Sequence, residues 1–133
     1  MNILVLEDDP ERQNKFRKNF IGHSLIIVDT ATEAISLLST RQWQWLFLDH
    51  DLGGKVFVFS GKGTGYEVAC WLEEHPDRIP DRVIIHSFNP AGMKRMAMAL
   101  KEAYIVPGAW DMSDIIENWE NVKGKFQRGI DLI

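Results

Sequence analysis

The chain is nearly without cysteine, has no long apolar run and carries no surplus of positive charge. Its one cysteine, Cys70, has no partner for an internal disulfide, so stability has to come from a hydrophobic core. No apolar stretch approaches the roughly 20 residues that a membrane-spanning helix needs. The opening MNILVLEDD turns acidic too early for a secretory signal, and these absences together predict a soluble, cytoplasmic protein. With 15 basic against 19 acidic side chains the formal charge is −4, which gives no general attraction to nucleic acid or to a membrane surface. Repeats, linkers and low-complexity tracts are also missing. What remains, at 133 residues, reads as one domain, long enough to bury roughly two-thirds of its unfolded surface.

Short apolar runs alternate with amphipathic stretches. ILVL (3–6), LIIV (25–28), WLFL (45–48), RVIIH (82–86) and YIV (104–106) read as strands, apolar enough to be covered on both faces. Pro10 suits the first turn of a helix over 10–20 with Phe16 and Phe20 on one face. Thr30 and Glu33 form a capping box, and Ala31, Ala34, Ile35 and Leu38 follow the i, i+3, i+4, i+7 spacing of a buried stripe. A second box, Thr64 with Glu67, opens a helix over 65–75. Asn89 and Pro90 supply an N-cap and first-turn proline for the helix carrying Met93, Met96, Ala97 and Leu100, and Ser113 caps a last short helix. This order predicts an α/β fold of three layers, a five-stranded parallel sheet with helices on both faces. The segment 53–65, GGKVFVFSGKGTG, is a glycine-rich connection whose VFVF centre suits a small hairpin. The tail, 120–133, has no assigned place.

Residues 46–54 read LFLDHDLGG, a buried type of strand that ends in two carboxylates and an imidazole. In an open parallel sheet, ligands bind beyond the carboxyl ends of the strands. The first strand ends there in Glu7, Asp8 and Asp9, the third in Asp49, His50 and Asp51, and the fourth in His86, Ser87 and Asn89. If the strands run in the order 2-1-3-4-5, the two acidic groups face one another. Two carboxylates about 4 Å apart repel by roughly 4 kcal/mol at an effective dielectric near 20, which favours a cation between them. An all-oxygen site suits magnesium, and a nearby histidine adds affinity for manganese or zinc. Each cluster also has a plainer reading. Acids after a strand can face water or a helix N-terminus, His86 can be a core histidine, and Asn89 can be a cap alone. SGKGTG (60–65) is no Walker loop, because Val56 stands where glycine is needed and Gly63 where serine or threonine is needed. Lys55 and Lys62 meet an anion only if that loop folds over the site.

Over residues 1–120 the sequence resembles a receiver domain of the response-regulator type, which implies the flavodoxin-like order 2-1-3-4-5. The resemblance maps the family's acidic pair onto Glu7 and Asp8, its phosphoacceptor onto Asp49 and its strand-four hydroxyl onto Ser87. Its strand-five lysine is missing, since YIVPGAW runs from Val106 straight to Pro107. LDHDLGG, TGYEVACWLEE and HSFNPAGMKRM are similar to the receiver variant named for cyclic-phosphate processing. That resemblance implies metal-dependent hydrolysis of a cyclic phosphate, either a cyclic nucleotide or a 2′,3′-cyclic RNA end. Glu7, Asp8, Asp49 and Asp51 would hold Mg2+ or Mn2+, with Asp49 as ligand or nucleophile. His50 and His86 would serve as base and acid, and Ser87 and Asn89 would bind phosphate oxygens. Two other readings stand beside it: a stand-alone phosphoacceptor receiver in signalling, and a binding module that engages a protein partner through the 53–65 loop or the tail. The acid–base pair carries one geometric demand. Consecutive residues of a strand point to opposite faces, so the chain must turn at His50, helped by Gly53 and Gly54, to bring His50 and His86 to one rim.

Overall fold

A computed structural model describes residues 2–51, 63–87, 89–107 and 110–132. Strands β1 (Asn2–Leu6), β2 (Ser24–Val28), β3 (Trp45–Asp49), β4 (Arg82–Ser87) and β5 (Tyr104–Pro107) run parallel in the expected order. A sixth strand, β6 (Gln127–Arg128), pairs antiparallel with β5, so the sheet is mixed and reads 2-1-3-4-5-6. The tail therefore has a place. It closes the β5 edge, and Gly129 and Ile130 donate their N–H groups to the carbonyls of Ala103 and Lys101. A two-residue polar strand has no periodicity from which it could have been foreseen.

Among the described residues, six α-helices cover the sheet: α1 (Pro10–Asn19), α2 (Ala31–Thr40), α3 (Gly65–Glu74), α4 (Pro90–Ala99), α5 (Met112–Glu117) and α6 (Trp119–Val122). Alternation along the strands sorts them onto two faces. Leu4, Leu6, Leu46, Leu48, Val83 and Ile85 point to one, against Leu38, Val68, Leu72 and Met96 of α2, α3 and α4. Ile3, Val5, Trp45, Phe47, Ile84 and Val106 point to the other, against Phe16, Ile115 and Trp119 of α1, α5 and α6. Each such fully buried side chain contributes about 1.5–3 kcal/mol relative to exposure, so this division fixes the register of every strand.

The helix starts follow their caps, with two corrections. Thr30 Oγ1 accepts from the N–H of Glu33 at 3.2 Å, and Asn89 Oδ1 accepts from Gly92 N at 3.0 Å behind Pro90, both as expected. Thr64 holds the N-cap position of α3, but its hydroxyl does not cap, and the Glu67 carboxylate instead accepts from Gly63 N at 2.8 Å. The last helices start at Asp111, whose carboxylate accepts from both the N–H and the hydroxyl of Ser113. Ser113 is thus the capped residue and not the cap, because an ionised carboxylate is the stronger acceptor. Trp119 belongs to the separate turn α6. The predicted hairpin of 53–65, with Gly53, Gly54, Lys55 and Lys62, lies outside the described residues apart from Gly63 to Gly65.

Candidate functional site

At the carboxyl ends of β1 and β3, Glu7, Asp8 and Asp49 each offer an oxygen, and the three oxygens lie within 4.8 Å of one another. β1 and β3 are direct neighbours, so the residues that follow Leu6 meet the end of β3. Glu7 is fully buried and Asp49 is 2 % exposed. Among the described residues, one permanently charged cation attends them. Arg12, one turn into α1, places Nε 2.8 Å from Glu7 Oε1 and Nη2 3.2 Å from Oε2, and lies 3.7 Å from Asp49 Oδ2. Asp9 caps α1 by accepting from Arg12 N at 3.0 Å, which fixes where the guanidinium starts. Arg12 bears no mark in the sequence beyond its position three residues after that cap.

One arginine does not neutralise three acids. Burial first, and then the Glu7 charge, push the Asp49 carboxyl up to about 8, against the opposing pull of Arg12. Asp49 Oδ2 is buried with no hydrogen-bond partner among the described residues. A buried carboxylate oxygen in that state costs about 1–3 kcal/mol or more, and a divalent cation would relieve it. The donor set is all oxygen, which fits magnesium or manganese.

His86 completes this side of the sheet. It is the register partner of Asp49 on β4 and shares its face, with the ring against Phe16 at 5.3 Å between centroids. Its Nδ1 lies 3.9 Å from Glu7 Oε1, while Nε2 is buried without a partner among the described residues. Burial lowers its pKa to about 4, with Arg12 adding to the effect and Glu7 opposing it. The ring is therefore neutral near pH 7.

His50 goes the other way. Its ring lies under α4, where a Cβ on Gly92 would stand 2.5 Å from the ring Cγ. Nδ1 is 2.8 Å from Asp51 Oδ1, and Asn89 Nδ2 reaches both Nδ1 (3.3 Å) and Asp51 Oδ1 (3.1 Å). The two imidazoles thus lie on opposite faces of the sheet, His50 with the α3 and α4 layer and His86 with α1. The chain does bend at His50, as expected, but the bend does not bring the rings to one rim. The reason is local. A Cβ on Gly65 would collide with the Asp49 carbonyl, and Gly65 N donates to His50 O at 2.9 Å, so the start of α3 packs on the bend while Gly92 leaves room for the ring under α4.

Asp51 is drawn into the same network. Its carboxylate is engaged with His50 and Asn89, apart from the group formed by Glu7, Asp8 and Asp49. Asn89 has both side-chain ends occupied, toward Asp51 and toward Gly92 N. Ser87 Oγ accepts from Asn89 N at 3.1 Å. At the end of β5, Pro107 is the register partner of Ser87 and Val106 that of His86, so buried valine borders His86 where a lysine was missed.

The geometry has known counterparts. A family model described as the cyclic-phosphate processing receiver domain matches residues 2–102. Comparison with curated proteins finds no match. Among solved structures, the signal receiver domain of a histidine kinase from Syntrophus aciditrophicus is similar with a TM-score of 0.67 at 17% identity, covering 92% of this chain and 89% of that one. A phosphorylated cyanobacterial phytochrome response regulator gives 0.67 at 18%, covering 91% of each chain. The manganese-bound form of another response regulator gives 0.62 at 17%, covering 92% and 91%. At such identities these likenesses concern the fold. No helix among the described residues is long and apolar enough to cross a membrane.

Proposed function

Because this chain belongs to the cyclic-phosphate processing receiver domain family, we propose that its Asp49 centre binds a divalent metal and hydrolyses a cyclic phosphodiester. The observation that carries the proposal is the buried Asp49 Oδ2 beside Glu7 and Asp8, with no hydrogen-bond partner among the described residues and Arg12 at 3.7 Å, and with His86 on the same face. Glu7, Asp8 and Asp49 would hold Mg2+ or Mn2+, which supplies charge neutralisation at the phosphoryl oxygens. Asp51 is not among these ligands in our reading, since its carboxylate is committed to His50 and Asn89.

The proton traffic falls to one histidine. Neutral His86 offers Nε2 as acceptor for a proton of the attacking water. Water oxygen bonds to phosphorus, one ring P–O bond breaks, and the same imidazole returns the proton to the departing oxygen. Ser87 would supply a donor for a phosphate oxygen, since its Oγ accepts from Asn89 N and its hydroxyl proton is left to give, whereas at the start of α4 Pro90 has no N–H and Gly92 N already donates to Asn89 Oδ1. His50 acts at a distance by fixing Asp51 and Asn89. A valine at position 106 favours hydrolysis over the signalling reading, because it offers no cation to retain a phosphoryl group.

Phosphorus NMR of small cyclic phosphates, with manganese or magnesium present, tests the reading. Conversion to a monoester that stops in Asp49→Asn is the expected result. No conversion by a chain shown to bind the metal would overturn it.

A further inference from the structure

A cavity of about 580 Å3 lies between α1 and the start of α5, within the roughly 300–1,000 Å3 range of small-molecule sites. Arg12, Lys15 and Phe16 line it from α1, Trp110 from the segment before α5, and His86 from the end of β4. Arg12 and His86 both touch Glu7 as well, so the cavity and the acidic centre share a wall. Two of the residues that line it each carry a buried nitrogen, His86 Nε2 and Trp110 Nε1, with no hydrogen-bond partner among the described residues. An indole N–H can only donate, and leaving it buried and unpaired is costly, so its presence here calls for an acceptor from beyond the described residues.

Resting on the hydrolytic reading above, we propose that this cavity receives the base of a cyclic mononucleotide while its phosphate reaches the Asp49 centre. Phe16 and Trp110 give the aromatic surface on which a heterocycle packs, and Trp110 Nε1 gives a donor for a base or sugar acceptor. Lys15 and Arg12 favour an anion. The rim also carries acids, and these set how much charge the ligand can bring. Asp9 and Asp111 are engaged in capping α1 and α5, and Glu11 is exposed. A cyclic diester brings one negative charge; a terminal monoester brings close to two, and an RNA end brings a row of them past three carboxylates. With a formal charge of −4 on the whole chain, the singly charged mononucleotide is the form this pocket suits.

The experiment is calorimetric titration of the full chain, in manganese, with the two ring forms of cyclic adenosine monophosphate, 2′,3′ and 3′,5′, as separate probes. At least one form is expected to bind, with linear adenosine monophosphate about tenfold weaker. Trp110→Ala and the surface change Lys15→Glu are each expected to weaken it by about tenfold, with manganese affinity unchanged. Binding of neither form, tighter binding of an oligonucleotide with a cyclic end, or indifference to both substitutions would overturn the pocket. The hydrolytic reading fails separately: nucleotide binding without turnover removes it and leaves the pocket, and turnover of a base-free cyclic phosphate without nucleotide binding does the reverse.

Discussion

The His50 imidazole lies beneath Gly92, close enough that a Cβ on that glycine would stand 2.5 Å from the ring. The ring is fully buried and pinned by Asp51 and Asn89, so it cannot step aside. Gly92→Ala is therefore expected to destabilise the protein by about 1–3 kcal/mol, as overpacking does. This outweighs the roughly 0.5–1 kcal/mol that alanine contributes inside a helix. Urea denaturation checks it, and a variant more stable than the native chain would show that the ring has room.

Among the described residues, Arg12 is the ion-pair partner of Glu7 that is charged at all pH values, and Glu7 is fully buried. Removing it leaves a cluster of acids without compensation. Arg12→Ala is expected to cost about 3 kcal/mol in metal-free buffer, the lower end for a broken buried pair because Arg12 itself is partly exposed. Manganese should then raise the melting temperature of Arg12→Ala by more than it raises that of the native chain. Equal shifts would detach Arg12 from the acidic centre.

The five parallel strands and the acid cluster were legible because both are written in short-range pattern. Apolar runs of four or five residues announced the strands, and Glu7, Asp8 and Asp49 follow directly from where two of them end. What was not legible depends on contacts distant in sequence. Nothing near His50 states that Gly92 leaves a hollow for its ring, or that Gly65 packs on the bend and bonds the His50 carbonyl. The expected histidine pair therefore fell on opposite faces, although the alternation rule already described that outcome. Arg12 and Trp110 were overlooked for the same reason: one is an ordinary helix charge and the other an ordinary aromatic until the fold sets them beside Glu7 and His86.

Asp49 gives the pH dependence a definite sign. Its carboxyl is raised from 3.8 to about 8, so between those values the metal-free native state holds a proton that the unfolded chain has lost, and stability falls as pH rises. His86, lowered from 6.5 to about 4, works in the opposite sense, since between those values the unfolded chain holds the extra proton and stability rises with pH. The two contributions offset each other below 6.5. From there to about 8 the Asp49 contribution stands alone, and stability is expected to decline. Denaturation midpoints across that window should decline less in Asp49→Asn, and saturating manganese should flatten the native profile because a bound cation displaces the proton. An unchanged slope in the variant would assign the decline to other groups.

The two histidines should now separate by phenotype. His86 has an unpartnered Nε2 on the face of Asp49, so His86→Ala is expected to lower kcat by about 10²–10⁴, the usual worth of a positioned acid–base group. Manganese affinity should stay close to native, since Glu7, Asp8 and Asp49 are untouched. His50 supports structure instead. Replacing it with alanine opens a void under Gly92 and strips Asp51 of a partner at 2.8 Å, a loss of about 1–3 kcal/mol for the buried polar group before the void is counted. His50→Ala is thus expected to melt earlier while its folded fraction keeps kcat within about tenfold of native, much less than a positioned acid–base group is worth. Turnover measured beside the folded fraction distinguishes the two. A loss of kcat in His50→Ala as large as in His86→Ala, at native stability, would mean that the His50 ring leaves its place under α4 and reaches the phosphate when substrate binds.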